Sequence, residues 1–139
     1  MLWQLRSLLE KGFSAETSLP GHTTGRLSAG QCAAVALVMH ELLGGKLVSA
    51  TVEGISHWFN RLQTGDGEID VDTTADQFGL PSIRISRVGE LYPGTRVRHN
   101  SDVRDETRRR SNLMKRKASA EGVTLRVLRD IVEHATQRR

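Results

Sequence analysis

The sequence predicts an α+β fold in which helices are segregated from one small antiparallel sheet. Three observations predict it. Residues 28–43 hold an unbroken apolar run closed by two glycines, the mark of a buried helix. Residues 46–71 change to short β-branched and aromatic segments separated by turn residues, the pattern of a meander. Residues 106–135 return to helical spacing.

The elements follow in chain order. The opening MLWQLRSLLEKGF sets Leu2, Leu5, Leu8 and Leu9 among Arg6, Glu10 and Lys11, with no small-residue cleavage site behind it. This predicts an amphipathic surface helix and not a signal peptide. Residues 14–27 are rich in Ser, Thr, Gly and Pro and read as a loop that carries His22. The helix over 28–43 takes Ser28 or Gly30 as its N-cap and Gly44-Gly45 as its stop. Ala33 to Met39 are apolar on every side, so this helix is expected to be central and buried all round.

KLVSATV at 46–52, HWFNRL at 57–62 and GEIDV at 67–71 are the expected strands, joined by EGIS and QTGD. Residues 72–79 read as a turn plus one helical turn, and a weaker strand is expected at 82–87. Residues 88–104, which include His99, lack periodicity and suit a surface crossing. A strongly basic helix is expected at 106–118. Another at 123–135 aligns Leu125, Leu128 and Val132 beside Val127 and Ile131. That apolar stripe needs a partner, within the fold or in a homo-oligomer formed through this helix. The organisation expected is one domain over residues 1–118 with a helical extension over 119–139.

Composition narrows the function classes. A chain of 139 residues with 37% apolar content forms one domain with a modest core. A single cysteine excludes an intramolecular disulfide framework and points to a reducing, cytoplasmic setting. The longest apolar run, Cys32 to Met39, falls far short of the roughly 20 residues that span a bilayer, so no membrane association is expected. One cysteine and scattered histidines provide no metal-ligand pair at a usual spacing. No phosphate-binding loop or dinucleotide fingerprint is present, and no cofactor is expected. The net charge of +4 is uneven: residues 1–103 carry 9 basic and 11 acidic side chains, and residues 104–139 carry 11 and 5. Basic character therefore belongs to the tail.

The candidate chemistry centres on Cys32. A lone cysteine beside Ala33, Ala34 and Val35 packs as a small hydrophobe unless its position makes it react. Its position does favour reaction. In the first turn of a helix, free N–H groups and the positive end of the macrodipole stabilise a thiolate, and a nearby imidazolium adds to that. Of the five histidines, His40 lies eight residues along the same helix and about 12 Å away, out of contact. His134 belongs to the tail. His57 opens an aromatic strand after a short turn, where a helix N-terminus packed over the sheet edge can meet it.

The remaining need is a carboxylate to orient the imidazole. Asp70 and Asp72 alternate with Ile69 and Val71 and share one face of their strand. Asp72 ends the strand and returns near His57, so it is preferred, with Asp70 in reserve. As plain solvent-facing acids the two would have no such role. An oxyanion is expected to meet the Cys32 backbone N–H with Gln31 or Asn60. Phe59 shares the face of His57, and Asn60 that of Trp58.

These residues carry a resemblance. GQCAAVALV at 30–38, SHWFNRL at 56–62 and IDVDTTADQFG at 69–79, with SAETS at 14–18 and TRRRSNLMKRK at 107–117, are similar to the YunG-like family of small bacterial and phage proteins. The similarity covers residues 13–118 in patches. It aligns the acid before the Thr with Asp72. The order Cys, His, Asp, at spacings of 25 and 15 residues, also resembles the papain-like and transglutaminase-like superfamily and its bacteriocin-processing peptidases. That resemblance implies a central helix packed on a small antiparallel sheet, with Cys32, His57 and Asp72 as catalytic residues. One departure stands out. Papain-like enzymes carry the oxyanion glutamine several residues before the cysteine, whereas Gln31 is adjacent to it.

The expected function is a thiol hydrolase or acyltransferase acting on a peptide, amide or thioester substrate. The alternative is an interaction module on the same scaffold without catalysis. A third expectation rests on Arg108, Arg109, Arg110, Lys115, Arg116 and Lys117, which could make non-specific, salt-sensitive phosphate contacts with nucleic acid. The window has no aromatic side chain for stacking on bases, and a solvated helix face is the preferred account of it.

Overall fold

The computed structural model describes residues 1–19 and 30–137. Helix α1 (Leu2–Leu9) runs into a 3-10 turn at Glu10–Gly12 and buries Leu5, Leu9 and the side chain of Arg6. Helix α2 (Cys32–Leu43) starts later than the sequence suggests. Gly30 adopts φ +71, and a Cβ there would come within 2.2 Å of Ser18 Oγ, so it makes the turn before the helix rather than capping it. Gln31 occupies the cap position without a side-chain cap. The other expected cap, Ser28, and the loop histidine His22 lie outside the described residues.

Five antiparallel strands form one sheet in the order β4-β3-β2-β1-β5. Strand β1 (Lys46–Val52) has the expected bounds, and β3 (Gly67–Asp72) and β4 (Arg84–Arg87) lie within a residue or two of theirs. Strand β2 (Ile55–Thr64) begins two residues before the expected start because the turn is only Glu53-Gly54. Both turn residues have positive φ, 52° and 77°, the two-residue hairpin geometry that matches strand twist. Strand β5 (Arg96–Arg98) lies inside the stretch read as a surface crossing and pairs with Leu47–Ser49 of β1. Three residues are too few to show a period.

The sheet is covered on both faces. Asn60 of β2 donates from Nδ2 to the Ala36 carbonyl of α2 at 3.0 Å, so even-numbered β2 residues face the helix. Phe59, on the opposite face, packs with Val48, Ala50, Leu91 and Tyr92, the last two from the segment between β4 and β5. The main core lies on the far side of α2, where Val35, Val38 and Met39 meet Leu5, Leu9, Met114 of α3 (Asp105–Ala120) and Leu128 of α4 (Leu125–Gln137). The α4 stripe thus packs within the chain through Leu128, while Val127 remains exposed. Among the described residues, no helix is long and apolar enough to cross a membrane.

Candidate functional site

Cys32 is the first residue of α2, where the leading N–H groups have no acceptor within the helix. Its Sγ lies 3.9 Å from the Ser56 carbonyl oxygen, over the start of β2. The next residue is His57. The β2–β3 register pairs Asn60 with Val71, so Asp72 falls one step further and diagonal to His57 on the same face. His57 Nε2 stands 2.7 Å from Asp72 Oδ2, and both side chains are fully buried. Cys32 is 7% exposed and borders a cavity.

Each ring nitrogen of His57 has a neighbour. Asp72 Oδ2 accepts a hydrogen bond from Nε2–H, and the Gln77 amide nitrogen lies 2.9 Å from Nδ1 and donates to the neutral ring. A protonated ring presents Nδ1–H instead, which calls for the Gln77 amide to turn its oxygen inward or for Nδ1–H to face the Cys32 sulfur. Phe78 and Tyr92 contact the imidazole edge-on, with centroids at 4.8 and 5.2 Å, and Phe59 stacks at 5.9 Å. The ring is therefore held by packing as well as by hydrogen bonds.

The protonation balance of His57 follows from these contacts. Burial pulls its pKa down, but the hydrogen bond to Asp72 and the influence of the nearby Cys32, with the Asp72 charge, outweigh burial and raise it from 6.5 to about 9. This rise favours the imidazolium at neutral pH. Asp72 receives four donors: His57 Nε2–H and the Tyr92 hydroxyl at Oδ2, and the Thr74 N–H at 2.9 Å and hydroxyl at 3.3 Å at Oδ1. Burial and then the Asp72 charge push the Tyr92 hydroxyl well above its ordinary pKa, so it remains a donor.

The other sequence candidates take different places. Asp70 accepts from Arg61 Nε at 2.6 Å and Nη2 at 3.2 Å, and from the Gly89 N–H at 2.9 Å. It anchors the loop after β4, away from His57. Gln31 is buried: its Nε2 donates to the Ser14 carbonyl at 2.9 Å and its Oε1 accepts from Thr17 at 2.7 Å. Asn60 donates to Ala36, one turn along α2. Both amides suggested for an oxyanion already have partners, and the leading N–H groups of α2 are the donors that remain.

Five of the six tail basic residues have partners within the chain. Lys115 and Lys117 pair with Glu41 and Glu16 at 2.9 and 3.1 Å, and Arg109 pairs with Glu106. Arg108 donates to the Asn100 carbonyl at 2.7 Å and Arg110 to Thr107 at 3.2 Å, while Arg116 is exposed. Among the described residues, no three His, Cys, Asp or Glu side chains converge as a metal would require.

Sequence reasoning missed Tyr92, Gln77 and Thr74 as partners of the buried pair. Gln77 and Thr74 lie in the block DTTADQFG, which reads in the sequence only as a turn plus one helical turn; Tyr92 lies in a stretch with no period at all. Asp76 of the same block receives both terminal nitrogens of Arg6 at 2.9 Å, and Arg6 also donates to the Thr73 carbonyl at 2.7 Å. Helix α1 thereby holds the loop that carries Thr74 and Gln77.

A family model described as "YunG protein" matches residues 1–122, nearly the whole of the fold up to the turn before α4. The chain belongs to the YunG family. In this YunG-family chain the match takes in α1, whose Arg6 holds the site loop, and all five strands. No curated protein and no solved structure matches the chain.

Proposed function

We propose that this chain is a small cysteine hydrolase or acyltransferase of papain-like design, acting on an amide or thioester. Cys32 is the nucleophile, His57 the acid and base, and Asp72 the group that orients His57. The observation that carries this reading is the fully buried His57, held at 2.7 Å by Asp72 and raised to about 9 beside the Cys32 sulfur. An imidazolium next to a thiol at a helix N-terminus favours the thiolate.

The reaction uses these groups in turn. The sulfur attacks the acyl carbon, forming an S–C bond, and the carbonyl oxygen gathers charge near the leading N–H groups of α2. His57 gives its proton to the departing amine or thiol as the carbon–heteroatom bond breaks. Water, or a second amine or thiol, then attacks the thioester while His57 takes its proton, which regenerates Cys32 and releases the product. Tyr92 and Thr74 keep Asp72 in place throughout.

The test is alkylation of Cys32 by iodoacetamide at pH 6.5 in wild type and His57→Ala. A thiol without a cationic neighbour is about 1% ionised there, so loss of His57 is expected to slow labelling by about tenfold or more. Equal rates, or labelling only after unfolding, would make Cys32 a packing residue and the chain an interaction module.

A further inference from the structure

The wall of the cavity beside Cys32 contains charged groups that the proposed reaction does not use. The cavity holds about 320 Å³, the low end for a ligand site, and Cys32, Ser56, Trp58, Arg98, Arg104 and Arg110 lie in its wall. Arg110 is only 6% exposed. Its Nη2 donates to Thr107 Oγ1 at 3.2 Å, but Nε and Nη1 are buried and make no hydrogen bond. Glu106 Oε1 stands 3.8 Å from Nη1, beyond hydrogen-bond reach. Buried charged donors left unmade are costly, and a bound anion would offset that cost.

The surroundings favour one negative charge. Three arginines and two acids, Asp102 and Glu106, line the cavity, for a local net of +1 (3 − 2). Asp102 accepts the His99 N–H at 2.8 Å, and Glu106 pairs most closely with Arg109 while its other oxygen stands 3.8 Å from Arg110 Nη1. Arg98 donates from Nε to Ser49 Oγ at 2.7 Å and lies 5.4 Å over the Trp58 ring, which fixes it in the wall. The 16-residue helix α3 also begins here, with no side-chain cap at Arg104, and its leading N–H groups add positive potential.

We infer that this cavity binds a carboxylate through Arg110, so that the acyl substrate of Cys32 carries a free carboxylate close to the bond that is cleaved. N-acylated amino acids and the C-terminal residue of a peptide have that chemistry. The inference rests on the reading of Cys32 as a nucleophile, but the Arg110 site makes its own binding prediction.

Two measurements on the full chain test it. The first compares alkylation of Cys32 by iodoacetate and by iodoacetamide, which differ in charge and little in size. The iodoacetate-to-iodoacetamide rate ratio is expected to exceed that of the unfolded chain in urea by about tenfold. Arg110→Gln is expected to abolish the excess, and Glu106→Gln to increase it. The second follows the thermal midpoint of Cys32→Ala with N-acetylglycine, N-acetylglycinamide and inorganic phosphate. Only N-acetylglycine is expected to raise it, and Arg110→Gln is expected to remove the rise.

If Cys32 labels in a His57-dependent way while the ratio ignores both Arg110 and Glu106, the carboxylate site is overturned and the hydrolase reading stands. If Cys32 is inert but N-acetylglycine stabilises through Arg110, the site stands and the hydrolase reading fails. A rise as large with phosphate or with the amide overturns the assignment to a carboxylate. Should Arg110→Gln fail to fold, Glu106→Gln, at an exposed side chain, decides: an unchanged ratio overturns the inference.

Discussion

At the scale of single residues, His57 sets the pH behaviour. Its folded pKa of about 9 lies above the unfolded 6.5, so the folded state binds more protons between those values. The stabilisation is complete below about pH 6.5 and is lost as pH rises through about 9. Urea unfolding is expected to show a loss on the order of 3 kcal/mol between pH 6 and pH 9.5, and a much flatter profile in His57→Gln. In Asp72→Asn, the imidazole resonance followed by NMR should titrate well below 9, because the buried carboxylate that stabilises the charged ring has gone. Gly30→Ala is expected to cost about 1–3 kcal/mol in denaturant unfolding, since it combines positive φ with a Cβ 2.2 Å from Ser18 Oγ. Unchanged stability there would mean that the turn before Cys32 can relax.

At the scale of elements, the connection between α1 and the loop after β3 matters most. Arg6 is buried, yet it makes three hydrogen bonds to Asp76 and the Thr73 carbonyl and lies 3.2 Å from Glu10. Arg6→Met removes the hydrogen bonds of a buried cation to Asp76 and to the Thr73 carbonyl, so it is expected to cost about 1–3 kcal/mol. A double-mutant cycle with Asp76→Asn should show strong coupling, since both changes break one contact. Additive effects would show that α1 supports the loop by packing alone. A loosened loop would also release Thr74 and Gln77, and with them the hold on Asp72 and His57.

At the scale of the whole molecule, the family match ends at residue 122 while the packing does not. Val123 and Leu128 are buried against Leu5 and Leu9, in the cluster that supports the back of α2. Leu128→Ala is expected to destabilise by about 2–5 kcal/mol in thermal or denaturant unfolding. A change below about 0.5 kcal/mol would place α4 outside the cooperative unit. The front of α2 rests on the sheet and its back on α1, α3 and α4, so the position of Cys32 depends on both layers.

The local pattern of the sequence determined the helix behind Cys32, the hairpins, and the shared face of Asp70 and Asp72. Periodicity of apolar residues and turn glycines is written into neighbouring positions and needs no distant partner. The sequence preferred Asp72 of the two acids, and only the tertiary structure supplied the partners that separate them. Both face one side of β3, but Arg61 across the sheet takes Asp70, and Tyr92 and Thr74 close on Asp72 beside His57. It also decided that Gln31 holds the Ser14–Thr17 turn, and that Arg110 leaves the basic face of α3 for the wall of a cavity. These outcomes depend on contacts between residues apart in the chain, such as Tyr92 and Asp72 at 20 positions, formed when helices and sheet close on one core. A short-range pattern carries no record of such contacts, because the same polar side chain suits a solvated face and a buried pair alike.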